Sequence, residues 1–192
     1  MKRKEFLKRL GMGAAMIPLV ACSTGGDDED ILESVDDNNS SSSGCSVTNS
    51  ETEGPFPIKN PSSLVRSDII GDRTGVALSI AIIILDSSSE CDPLEGALVD
   101  IWHCDKDGYY SEYGGTNMQS VDYSDVHFLR GRQVTDSDGK VEFTSIFPGW
   151  YQSRSTHIHV HVYNSSGKSL LVTQIAFPES SSDSPVVLVN AA

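Results

Sequence analysis

The sequence predicts an all-β domain, a two-layer antiparallel β-sandwich with few or no helices, over residues 45–192. Three observations carry this. Short runs of β-branched and aromatic residues recur along that part of the chain, and turn segments rich in Gly, Asp, Asn and Ser separate them. No stretch keeps the i, i+3, i+4, i+7 apolar pattern of a long helix. Strands with one apolar face must bury it against another layer, and in a chain of this length two facing sheets do so.

The chain begins with a leader. Residues 1–21 open with Lys2, Arg3, Lys4, Lys8 and Arg9 and continue into an apolar run from Leu10 to Ala21, the layout of an export signal. That run falls short of the about 20 apolar residues that cross a bilayer. It ends "LVAC", which resembles the lipobox of bacterial lipoproteins and makes Cys22 the expected lipidation site and membrane anchor. "KRKEFLK" is similar to a twin-arginine signal, except that Arg3-Lys4 stands in place of the arginine pair. The expected location is the bacterial cell envelope, on the periplasmic side or the outer surface.

Residues 22–44, "CSTGGDDEDILESVDDNNSSSSG", are polar and acidic, with too little apolar surface to fold, and are expected to be a disordered tether. The whole chain carries a formal charge of −13; without the leader's five basic residues and Glu5 this becomes −17. So acidic a protein repels phosphate backbones, and nucleic acid is not an expected partner.

In the folded part, "VALSIAIIILD" (76–86) and "ALVDIWH" (97–103) read as strands. "GRQVT" and "KVEFTSI" flank the turn "DSDG", and "THIHVHVY" and "SLLVTQIAF" flank "NSSGK", so two hairpins are expected. "DKDG" and "DSDG" begin like calcium loops but lack the ligand series of an EF-hand, and read as β-turns. Trp102 and Trp150 are expected in the core or a pocket wall. Besides Cys22 there are three cysteines, Cys45, Cys91 and Cys104, so at most one internal disulfide can form. Cys91 and Cys104 bracket one strand and are the expected pair.

Three of the five histidines fall at alternate positions, His157, His159 and His161, in "RSTHIHVHVY". A period of two puts them on one face of a strand, with Ile158, Val160 and Val162 on the other. Either this is a solvated, histidine-rich face, or two imidazoles converge on a metal whose other ligands come from elsewhere. Tyr151 and Arg154 lie just before the histidines.

Here the chain resembles the intradiol ring-cleavage dioxygenases, non-haem ferric enzymes that include the protocatechuate and catechol ortho-cleaving families. The similarity runs through "TEGPFPI" (52–58), "GALVDIWHCDKDGYYS" (96–111), "RGRQVTDSDGKVEFTSIFPGWY" (130–151), "RSTHIHVHVY" (154–163) and "TQIAF" (173–177), in the family's order. The resemblance implies a ferric ion held by Tyr110, Tyr151, His157 and His159. It also implies that a catechol binds with dioxygen as co-substrate and that Tyr151 leaves the iron and takes a proton. On the same resemblance Arg154 would stabilise developing negative charge, and cleavage between the two hydroxylated carbons would give a muconate-type diacid. Gln174 matches a glutamine near the family's iron; a polar residue on a sheet edge is the other reading. His161 and Tyr109 have no role in that pattern, and each stays open as a replacement ligand because one sequence does not fix strand register.

The ligand set has its own chemical logic. Ferric iron is hard and highly charged, so it prefers phenolate oxygen and imidazole nitrogen to sulfur, and it pulls a bound tyrosine's pKa far below about 10. Two departures from the family stand out. Leader and tether fill the place of the helical amino-terminal region of the catechol branch, and the chain ends soon after "FPES", where relatives continue. The oligomeric state is left open. A second reading, a non-catalytic surface-anchored sandwich that binds a glycan or protein, is compatible with the tether and the acidic surface.

Overall fold

The computed structural model describes residues 45–151 and 154–178. Leader, tether and Cys22 lie outside the described residues. Among the described residues eight strands run in chain order: β1 Ala77–Ile83, β2 Leu85–Asp86, β3 Asp92–Pro93, β4 Leu98–Trp102, β5 Arg130–Val134, β6 Lys140–Ile146, β7 His157–Tyr163 and β8 Ser169–Ala176. A single 3-10 turn at Pro61–Ser63 is the only helical element among the described residues. The all-β expectation holds.

One sheet has the order β5-β4-β7-β8, a second pairs β1 with β6, and β2 and β3 form a small ribbon; all the strand pairs are antiparallel. The two larger sheets face each other across an apolar core. Ile80 of β1 and Val141 and Phe143 of β6 meet Val99 and Ile101 of β4 and Ile158, Val160 and Val162 of β7. These are the alternate residues of each strand, as the period of two requires. Burying each such side chain contributes about 1.5–3 kcal/mol relative to leaving it in water.

The hairpin expected at "DSDG" is corrected. The turn itself forms, with Asp136 Oδ1 accepting from the backbone N–H of Asp138 at 3.0 Å and of Lys140 at 2.9 Å. Its two strands then part. β5 pairs with β4 in the four-stranded sheet, whereas β6 pairs with β1 in the facing one. An Asx turn reverses the chain but does not choose the sheet; Val141 and Phe143 reach the core from the opposite layer. The "NSSGK" hairpin forms as expected, joining β7 to β8.

The disulfide is also corrected. Cys45 pairs with Cys91, their Cα atoms 5.6 Å apart, and Cys104 is a buried free thiol. Cys91 and Cys104 lie beyond opposite ends of β4, whose five extended residues alone span about 17 Å, well beyond bridging reach. The bridge fixes the start of a strap, residues 45–58, which runs beside β8. Glu51 N–H donates to the Val172 carbonyl at 2.8 Å, the Thr173 hydroxyl to the Asn49 carbonyl at 2.9 Å and the Gln174 amide to the Thr52 carbonyl at 2.8 Å.

Candidate metal centre

β7 is buried on both faces except at its last residue. Its apolar side chains enter the sandwich core, so the histidines lie on the outer face of the four-stranded sheet, under the strap and two loops. His157, His159 and His161 are 4%, 1% and 7% exposed, which removes the solvated-face reading. Register places Trp102 opposite His159 on one side and Gln174 opposite it on the other. The Trp102 indole stacks flat on His159, with centroids 4.9 Å apart and planes 1° apart. The strap also brings Gly54 onto the ring, where an added Cβ would lie 3.0 Å from His159 Cε1.

These supports aim two imidazoles at one point. His157 Nε2 and His159 Nε2 are 3.0 Å apart. His157 Nδ1 lies 2.6 Å from the Ser155 carbonyl, which can only accept, so the proton sits on Nδ1 and the Nε2 lone pair faces inward. Burial pushes the pKa of His157 down and that of His159 down to about 3, so both rings are held neutral, the form that binds metal.

Two loops bring the tyrosines. In the first, Asp105 Oδ1 accepts from the N–H groups of Asp107 and Tyr109, both at 3.0 Å. The Asp105 carbonyl accepts from Gly108 and from Gly149 of the second loop, both again at 3.0 Å. The loops touch through glycine. A Cβ on Gly108, whose φ is +90°, would sit 2.5 Å from the Trp150 carbonyl oxygen, and one on Gly149 2.3 Å from that of Lys106. This backbone contact fixes the separation of the loop carrying Tyr110 from the loop carrying Tyr151. Gln119 clamps Tyr110 through both main-chain groups, at 2.7 and 2.8 Å, and Phe56 stacks on its ring at 4.7 Å.

The four rings form a closed circuit. Centroid separations are 5.7 Å from Tyr110 to Tyr151, 5.9 Å from Tyr151 to His157, 4.6 Å from His157 to His159 and 6.3 Å from His159 back to Tyr110. The Tyr110 hydroxyl is buried and has no hydrogen-bond partner among the described residues. A buried polar atom left alone costs about 1–3 kcal/mol, so its presence here calls for a partner.

The residues fit a hard cation. Nitrogens 3.0 Å apart have the spacing of neighbouring ligands at right angles, each ~2.1 Å from one ion. Among the described residues no three His, Cys, Asp or Glu side chains gather to hold a metal, so an ion here needs the phenol oxygens. Burial holds Tyr110 well above its ordinary pKa and raises Tyr151, the Arg154 guanidinium opposing the latter. A bound cation reverses that balance by stabilising phenolate. The neighbouring Cys104 thiol is pushed up to about 12 by burial and stays protonated, so the site offers no soft thiolate.

Arg154 and Gln174 meet at the lip of the site, where Arg154 Nη2 donates to Gln174 Oε1 at 2.6 Å. Both line a cleft of about 310 Å³ with Glu51, Ser155, His157 and Ala176. His161 points to a different neighbourhood. Its Nδ1 meets the Tyr163 hydroxyl at 2.8 Å and Glu53 at 3.1 Å, and its Nε2 meets Ser169 at 2.9 Å. Tyr109 turns toward Tyr123, with centroids 6.0 Å apart. Neither joins the circuit. The sequence singled out neither the strap residues Glu51 and Gly54 nor the loop contact at Gly149, and it assigned Asp105 no specific role; Gly54, Gly149 and Asp105 lie within "TEGPFPI", "FPGWY" and "WHCDKDG", and Glu51 one residue before the first of these. Arg130, the first residue of "RGRQVT", is fully buried. It donates to the Phe56 carbonyl at 2.9 Å and to Ser111, joining strap to tyrosine loop behind Tyr110.

Comparison with known proteins agrees with this geometry. A family model described as "Dioxygenase" matches residues 54–188. Chlorocatechol 1,2-dioxygenase of Rhodococcus opacus is 32% identical over 157 residues, covering 68% of this chain and 56% of the relative. The protocatechuate 3,4-dioxygenase beta chain of Burkholderia cepacia is 30% identical over 120 residues, 56% of this chain and 47% of the relative. The chain thus spans about half the length of these curated relatives. Among solved structures, an intradiol ring-cleavage dioxygenase from Tetranychus urticae superposes with a TM-score of 0.63 at 36% identity, covering 72% of this chain and 68% of that one. The extent of these matches, together with the ring circuit on the sheet's outer face, shows that the chain belongs to the family of intradiol ring-cleavage dioxygenases.

Proposed function

We propose that the protein is a ferric-iron-dependent intradiol dioxygenase that cleaves a catechol between its two hydroxylated carbons with dioxygen, giving a muconate-type diacid. The observation that carries this is the convergence of two imidazole Nε2 atoms, 3.0 Å apart, on a cluster holding the partnerless Tyr110 hydroxyl. Tyr110, Tyr151, His157 and His159 would hold the metal. Ferric iron would supply a hard Lewis acid that lowers the pKa of the catechol hydroxyls, so that the substrate is held as the deprotonated, electron-rich form that reacts with dioxygen.

The remaining chemistry belongs to the chain's own residues. Tyr110 is locked by Gln119 and Phe56 and stays in place. Tyr151 is only partly buried, which suits a side chain that swings aside as the catechol enters and takes a substrate proton at its Oη. Arg154 sits at the lip, held by Gln174, where its charge stabilises the negative charge that develops on the substrate. Trp102 and Gly54 pack against His159, which is 1% exposed, and so help to keep water from the ring.

The test is iron loading followed by anaerobic catechol titration and one turnover with dioxygen. A red-brown protein whose colour shifts with catechol, and which yields the diacid, is the expected result. A preparation that stays colourless after loading refutes the reading and favours a surface-binding module. We also propose export and anchoring through a lipid on Cys22, supported by the "LVAC" ending of the leader. Cys22→Ala should move the protein from the membrane to the soluble fraction; continued membrane retention refutes it.

A further inference from the structure

We propose that Glu51 sets the substrate class of this site, selecting catechols whose ring carries a hydrogen-bond donor or a cation and disfavouring those that carry a carboxylate. The inference rests on the catechol reading above. The cleft that starts at His157 reaches Glu51 on the strap, and its volume of about 310 Å³ equals roughly ten waters at about 30 Å³ each, enough for a catechol ring with a substituent. Glu51 is held there by its backbone bond to Val172, between the strap's contacts with Thr173 and Gln174.

The charges along the cleft are divided. Arg154 is bound to Gln174, the cross-strand partner of His159, so its positive charge serves the reacting end. Val172, which anchors Glu51, pairs with His161, two residues or about 7 Å further along β8. Among the described residues that line the cleft Glu51 is the one acid, so a ring substituent that reaches the strap meets its carboxylate. Glu53, the other acid of the strap, is engaged by His161, whereas the Glu51 carboxylate makes no ion pair or side-chain hydrogen bond among the described residues. Its acceptor oxygens are free to take a proton donor from a ligand, and they repel a ligand anion.

The experiment titrates ferric-loaded protein anaerobically with catechol, 4-(2-aminoethyl)catechol, 1,2,4-trihydroxybenzene and 3,4-dihydroxybenzoate, reading Kd from the charge-transfer band. Each variant's Kd for unsubstituted catechol is its internal reference. Wild type should favour the amine and the third hydroxyl over the carboxylate. Glu51→Gln should reduce the amine-to-carboxylate preference by about fivefold, the scale of one partly solvated charge pair, and Glu51→Lys should invert it. A gain confined to the amine identifies charge as the basis, and an equal gain for the third hydroxyl identifies the hydrogen bond. Wild type that prefers the carboxylate, or an unchanged ratio in Glu51→Gln, overturns the proposal. A catechol that binds but is not cleaved refutes the dioxygenase reading alone and leaves these ratios to decide this one. No catechol binding at all overturns both.

Discussion

Gly149→Ala tests whether backbone contact between the two loops positions the tyrosines. The backbone at Gly149 is outside the left-handed region, so alanine adds no conformational strain and acts only through its Cβ. That atom would lie 2.3 Å from the Lys106 carbonyl oxygen and 2.8 Å from that of Asp105, against at least 3.4 Å for ordinary contact. Both neighbours are main chain and cannot rotate away, so the loops must part by about 1 Å. Overpacking of this kind costs about 1–3 kcal/mol, or about 6 °C in Tm for a domain of this size. A displacement of about 1 Å between Tyr110 and Tyr151 should also lower catechol turnover about a hundredfold and weaken iron in chelator competition. Gly115→Ala is the control: φ is +65° with nothing within 4 Å, so it should cost about 1 kcal/mol and leave iron affinity unchanged. If Gly149→Ala keeps wild-type iron affinity and turnover, the loop contact is not what places the tyrosines.

Tyr110→Phe and His157→Ala should each lose iron and colour, whereas Tyr151→Phe should keep much of its iron but turn over slowly, and His161→Ala should keep iron and most activity; if His161→Ala empties the site while His157→Ala leaves it filled, the ligand register is shifted. Reducing the Cys45–Cys91 disulfide, which spans 46 residues, should lower stability by up to about 4 kcal/mol in urea titrations, and unchanged stability would refute its role as the strap's anchor. His103 is buried, hydrogen-bonded to the Cys104 carbonyl and Ser145, and pushed by burial from 6.5 to about 4. Its folded pKa is depressed, so the unfolded chain binds more protons, and the stability it contributes is present above pH 6.5 and lost as pH falls toward 4. Iron-free wild type should therefore lose roughly 3 kcal/mol more than His103→Gln across that window in urea titrations, and parallel pH profiles would refute the assignment.

Much of the molecule is written in local pattern. The alternation in "THIHVHVY" set three histidines on one face because a strand's side chains alternate whatever surrounds it, and the boundaries of β4, β6, β7 and β8 match their apolar runs closely. "NSSGK" and "DSDG" specified chain reversals through the chemistry of Asn, Asp and Gly. The turn does not decide where the chain goes next. β5 and β6 leave the same turn for opposite sheets because core burial outweighs turn propensity, and that depends on Ile80, Val99 and Ile101, up to 63 residues away in sequence. Cys45 finds Cys91 instead of Cys104 finding it, because β4 carries Cys104 away from Cys91 and into the aromatic cluster beneath Tyr110. Likewise, the sequence named Tyr110, Tyr151, His157 and His159 by motif, but their convergence depends on Asp105, Gly108, Gly149 and the strap. Proximity between distant segments is a property of packing, and no residue type or spacing along the chain encodes it alone.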